Sequence, residues 1–101
     1  MEFRAALPLA DLPPGEKAVL KLAGLPVLLV NDGGEVRAVE NRCSHMDSPL
    51  DCGRVRLGWI SCPAHGARFD LVTGEALTGP ASEPVAVFAV RLIDGMIEVE
   101  V

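Results

Sequence analysis

The chain has 101 residues, is half apolar, carries a formal charge of −5, and limits its aromatics to three Phe and one Trp. That length fits one domain, residues 1–101, with a modest core of Val, Leu, Ile and Ala, and the apolar content excludes disorder. The acid excess excludes a nucleic-acid backbone as partner, since binding phosphates takes clustered Lys and Arg; it suits a chain that docks on a basic patch of another protein.

In chain order, FRAA at 3–6 reads as a first strand, and ADLPPGEK at 10–17 has room for a single helical turn. EKAVLKLAG at 16–24 and LPVLLVND at 25–32 read as strands, the second ending in NDGG, a hairpin turn signal. EVRAVEN at 35–41 is the returning strand, and GWIS at 58–61, ARFDL at 67–71 and PVAVFAVRLI at 84–93 follow. DGMIEVEV closes the chain, with Asp94-Gly95 as a second hairpin turn and Ile97, Val99 and Val101 on one face. No long stretch keeps a helical period free of Pro or Gly, so the expected class is all-β, a small antiparallel barrel or sandwich. Charges and prolines interrupt the first residues, which removes a signal peptide from consideration, and the apolar run LPVLLV at 25–30 is too short to span a bilayer. A cytoplasmic, unanchored monomer is expected.

The two histidines, His45 and His65, each stand beside a cysteine, in CSH at 43–45 and CPAH at 62–65, with the sixteen residues MDSPLDCGRVRLGWIS between them. Three cysteines are an odd number and too few for a disulfide scaffold, so in a reducing compartment those beside the histidines read as metal ligands. A single zinc usually takes its like ligands from compact pairs, Cys with Cys and His with His. The mixed pairs suit a [2Fe–2S] centre with unlike irons, Cys43 and Cys62 on one and His45 and His65 on the other. Two thiolates leave the oxidised centre neutral, whereas four would leave it doubly negative before any electron arrives. Replacing two thiolates by imidazoles therefore raises the potential. A structural zinc remains the alternative on spacing alone.

Cys-x-His, sixteen residues, then Cys-x-x-His resembles the ligand signature of the Rieske [2Fe–2S] family. CPAHGARFDLVTGEALTGPASEP resembles the segment that follows in Rieske-type ferredoxins, including the HGxxFDxxTG run, and PVAVFAVRLIDGMIEVEV resembles their final hairpin. The likeness covers roughly residues 25 to 101 well. It implies a cluster held by two loops at one tip of the fold, with Gly79-Pro80 in a third loop over it. Respiratory members place a disulfide across the ligand loops where this chain has Ser48 and Ala64, and hydroxyls near the cluster where it has Ala67 and Phe69. Each missing hydroxyl, at roughly 1.5–3 kcal/mol, lowers the potential by roughly 60–130 mV, towards the low end of the family's span near about −150 mV.

Among other residues, Cys52 is expected as a small buried residue between the ligand pairs, and Gly53 and Gly66 as backbone-geometry positions. Pro63 and Pro80 would stiffen the loops, Met46 and Pro49 shield the cluster or rim it, and Trp59 fill space. Asp32, Glu35, Glu40, Asp47, Asp51, Asp70 and Glu75 read as solvated acids, with Asp47 and Asp51 near enough to the cluster to influence docking. The resemblance implies a soluble, low-potential ferredoxin, an electron carrier and not an enzyme, with a flavin-dependent NAD(P)H reductase as donor and a terminal oxygenase, often an aromatic-ring dioxygenase, as acceptor. The alternatives are a small Rieske-like subunit of an assimilatory nitrite reductase and a zinc-stabilised interaction module. A self-contained oxygenase is excluded, because both histidines are already spent and no second iron site remains.

Overall fold

The computed structural model describes residues 2–43, 49–63, 66–78 and 83–101. Strand β3, Leu25–Asp32, has Val27 to Asn31 buried without a break, which is the pattern of a strand covered on both faces. Alternation then decides the partners. Leu28 and Val30 point into one apolar cluster with Ile60 and Phe69, while Val27 and Leu29 point into a second with Ile97 and Val99. The sheet containing β3 is thus the middle layer between two others.

That middle sheet runs β2 (Lys17–Leu22), β3, β4 (Glu35–Glu40) and β8 (Val87–Phe88), all antiparallel. One outer sheet is β1 (Phe3–Pro8), β10 (Met96–Glu100) and β9 (Val90–Ile93); the other is β5 (Val55–Arg56), β6 (Trp59–Ser61) and β7 (Arg68–Asp70). Among the described residues there is no α-helix, so the expected all-β class holds, and no helix is long and apolar enough to cross a membrane. The helical turn falls at Leu9–Asp11, slightly earlier than expected.

Two sequence expectations need correction. PVAVFAVRLI is not one strand: β8 pairs with β4, the chain breaks at Ala89, and β9 pairs with β10 in a different sheet. The apolar run from Pro84 to Val90 hides such a switch, because Val87 packs against one core and Phe88 and Val90 against the other. The hairpin partner of β6, the two-residue β5, was not legible either. Its turn is Leu57-Gly58 with φ of 46° and 83°, so a leucine sits in the left-handed region where Asn or Asp is usual. The NDGG signal holds: β3 and β4 pair with Asp32 opposite Glu35 across Gly33 and Gly34. Asn31 is buried because both ends of its amide are bonded, Nδ2 donating to Leu12 O and Oδ1 accepting from Gly34 N–H, each at 2.8 Å.

Candidate metal centre

Cys43 follows the end of β4 and Cys62 follows the end of β6, so two different sheets deliver the two sulfurs. Both end in the same apolar cluster, at 0% and 1% exposure, packed with Leu50, Ile60, Ala67 and Phe69. Cys62 is held on both sides of its peptide. Its N–H donates to Ala67 O at 2.6 Å, and its carbonyl accepts from Gly66 N–H at 2.8 Å, closing a short loop in which Gly66 takes φ +75°. The first loop is closed by Asn41, whose Oδ1 accepts from Leu50 N–H at 2.8 Å while its Nδ2 donates to Asp51 Oδ1 at 3.4 Å. Asn41 is itself anchored on β3, its N–H donating to Pro26 O at 2.8 Å.

Gly53 joins the two loops. Its N–H donates to Leu50 O at 2.8 Å and its carbonyl accepts from Lys17 Nζ on β2. A Cβ on Gly53 would stand 1.9 Å from Ser61 O, the carbonyl immediately before Cys62. Gly53 is absent from the glycines with positive φ, so it is required for close approach and not, as expected, for backbone conformation. Neither Asn41 nor Gly53 as a clamp was foreseen. The available signal was position alone, Asn two residues before CSH and Gly in the intervening segment.

His45 and His65 lie outside the described residues, as do Met46, Asp47, Ser48, Ala64 and the Gly79-Pro80 loop. Cys52 corrects its expectation: it is exposed, with Sγ 3.9 Å from Asp51 Oδ2. Trp59 packs at the surface, as alternation along β6 dictates. Ile60 turns inward and Trp59 outward, where the Arg68 guanidinium lies 4.3 Å above its ring. Asp70 is not merely solvated. Its Oδ1 accepts from Val72 N–H at 2.7 Å and Thr73 N–H at 2.9 Å, and the Thr73 and Val72 amides hold its carboxyl below the ordinary value of 3.8. Ala67 and Phe69, both fully buried beside the sulfurs, present no hydroxyl to the cluster.

Thiolates buried in an apolar pocket need positive charge, and soft sulfur donors select zinc, copper(I) or iron–sulfur groups. The donor chemistry therefore fits a [2Fe–2S] group. The Rieske [2Fe-2S] domain family matches residues 3–89. The 3-phenylpropionate/cinnamic acid dioxygenase ferredoxin subunit of Shigella flexneri serotype 5b (strain 8401) is 38% identical over 97 residues, covering 94% of this chain and 90% of the relative. The ferredoxin of carbazole 1,9a-dioxygenase from Nocardioides aromaticivorans IC177 superposes with a TM-score of 0.92 at 33% identity, covering 98% of this chain and 97% of that one. A ferredoxin-length chain from a complex of reduced oxygenase and oxidized ferredoxin in carbazole 1,9a-dioxygenase superposes at 0.89 with 26% identity, covering 96% and 100%. The chain belongs to the Rieske [2Fe–2S] family, and its cofactor is a Rieske-type cluster.

Proposed function

We propose that this chain, as a single monomeric domain, carries one electron at a time from a flavin-dependent NAD(P)H reductase to a terminal oxygenase, an aromatic-ring dioxygenase, and transforms no substrate itself. Cys43, His45, Cys62 and His65 hold one cluster per chain, the cysteines on one iron and the histidines on the other. The observation that carries this reading is the pair of buried cysteines, brought by strands of two sheets into one apolar cluster. The ferredoxin names of the relatives support it. The nitrite-reductase-subunit and zinc-module alternatives draw no support from those names.

When bound, the cluster supplies reversible one-electron chemistry. The residues around it set the conditions. Leu50, Ile60 and Phe69 keep water from the sulfurs, which holds the local dielectric low. Asn41 and Gly53 fix the loops on β3 and β6, so the ligand geometry has little freedom to relax when the charge changes. Ala67 and Phe69 withhold hydroxyl donors, which favours a low potential that a nicotinamide-fed reductase can reach.

The test is the visible and EPR spectrum of anaerobically purified protein before and after dithionite, with iron and sulfide assayed on the same sample. The expected result is two irons and two sulfides per chain and an EPR signal that appears only on reduction. A colourless protein holding one zinc overturns the proposal. His65→Cys should lower the potential towards about −400 mV or lose the cluster, and an unchanged potential removes His65 from the ligand set.

A further inference from the structure

A groove of about 440 Å³ runs along the outer face of the β5–β6–β7 sheet and reaches Cys62. Arg54 and Arg68 line it from either side of Ser61, Trp59 lines it as well, and no described residue lining it is acidic. Arg4, Arg37, Arg42 and Arg91 each pair with a carboxylate, at 3.7, 3.8, 3.3 and 2.7 Å, whereas Arg54 and Arg68, like Arg56 on β5, make no ion pair among the described residues. In a protein of net charge −5, two uncompensated guanidiniums on a groove that reaches a proposed ligand residue mark a local reversal of sign.

The groove is also built to hold its shape. The Arg54 backbone is tied to Ser61, its N–H donating to Ser61 Oγ at 3.2 Å and its carbonyl accepting from Ser61 N–H at 2.9 Å. Arg68 is braced on the Trp59 ring, and its N–H donates to Thr78 Oγ1 at 3.1 Å. A guanidinium already stacked loses little freedom on meeting a carboxylate, and Trp and Arg are the residues that concentrate binding energy at interfaces. Among the described acids, Asp51, next to Cys52, is engaged with Asn41 Nδ2, and Asp70, opposite Trp59, is engaged with the Val72 and Thr73 amides.

We propose that this groove is a docking site for a redox partner that presents carboxylates, seated with those carboxylates on Arg54 and Arg68 and its contact surface against Trp59. The inference rests on the carrier reading above. A partner seated there lies against Cys62, so docking and electron transfer use the same face. Association through two exposed cations is steered by charge and weakened by salt, which suits a carrier that must leave after each transfer.

The experiment uses the cluster-loaded protein with the reductase and the oxygenase of its own system, each step followed by stopped-flow absorbance from low to high ionic strength. Four proteins are compared: wild type, Arg54→Glu/Arg68→Glu, the milder Arg54→Gln/Arg68→Gln, and Lys21→Glu/Arg4→Glu, which repeats the charge change away from the groove. Iron content and reactivity with dithionite and ferricyanide are measured on each. The expected result is a loss of roughly tenfold or more at low salt in the second-order rate of at least one step for the groove Glu variant, a smaller loss for the Gln variant, and convergence at high salt. Rates in both groove variants no lower than in the Lys21/Arg4 control overturn the docking site and leave the carrier reading standing. A loaded wild type that exchanges electrons with neither protein overturns the carrier reading, and the docking site with it.

Discussion

Gly53→Ala isolates the contact that joins the two proposed ligand loops. The added Cβ would stand 1.9 Å from Ser61 O and 2.9 Å from Leu50 O, where real Cβ atoms essentially never come under 3.0 Å. Ser61 O must therefore retreat by about 1 Å, an overpacking that costs about 1–3 kcal/mol. Both obstacles are backbone, and Ser61 is fixed in β6 opposite Arg68, so no flexible side chain can give way. At about 2 kcal/mol the melting temperature falls by roughly 8–16 °C for a domain of this size. The displaced carbonyl precedes Cys62, so the damage should extend to cluster retention, read as iron and visible absorbance per chain. Gly95→Ala is the comparison. It carries backbone strain at φ +80° with open space around it, and should lower the melting temperature while leaving iron content intact. A Gly53→Ala protein with full iron and a melting temperature within about 2 °C of wild type would refute the close-approach argument.

Three further outcomes are expected. Asn41→Ala removes both side-chain bonds that close the first loop, at about 1 kcal/mol each, and should speed cluster loss to a chelator; an unchanged rate means the loop is held by other contacts. Ala67→Ser places a hydroxyl in the fully buried position beside Cys62 and should raise the potential by roughly 60–130 mV in direct voltammetry, a change absent if that hydroxyl turns away from the cluster. Asp70→Ala removes the acceptor of the Val72 and Thr73 amides. The folded carboxyl titrates below 3.8, so its contribution is full above that value and is lost as pH falls through the lower folded value. Unfolding after stopped-flow pH jumps should therefore separate the variant from wild type most at neutral pH, and the gap should narrow below about pH 3.8. A gap independent of pH would assign the cost to packing.

Much of this protein is legible one residue at a time. Alternation in MIEVE, the NDGG turn and the unbroken burial of β3 follow from local chemistry, because each strand's pattern records which of its faces is covered. The Cys-x-His and Cys-x-x-His spacing is similarly local, since a ligand pair must fit one loop, and it pointed to the family before any coordinates. What tertiary structure decided is which distant segments meet. Only the folded chain shows the switch of sheet at Ala89, the two-residue β5, the Asn41 clasp on Leu50 and the contact of Gly53 with Ser61. The same is true of Arg68 on Trp59 and its unpaired neighbour Arg54, which in the sequence are ordinary basic residues of an acidic chain. A side chain's type is fixed locally, but its partner is set by which strands pack. The residues that brace the cluster loops and the charge beside them therefore became visible only when the three sheets were assembled.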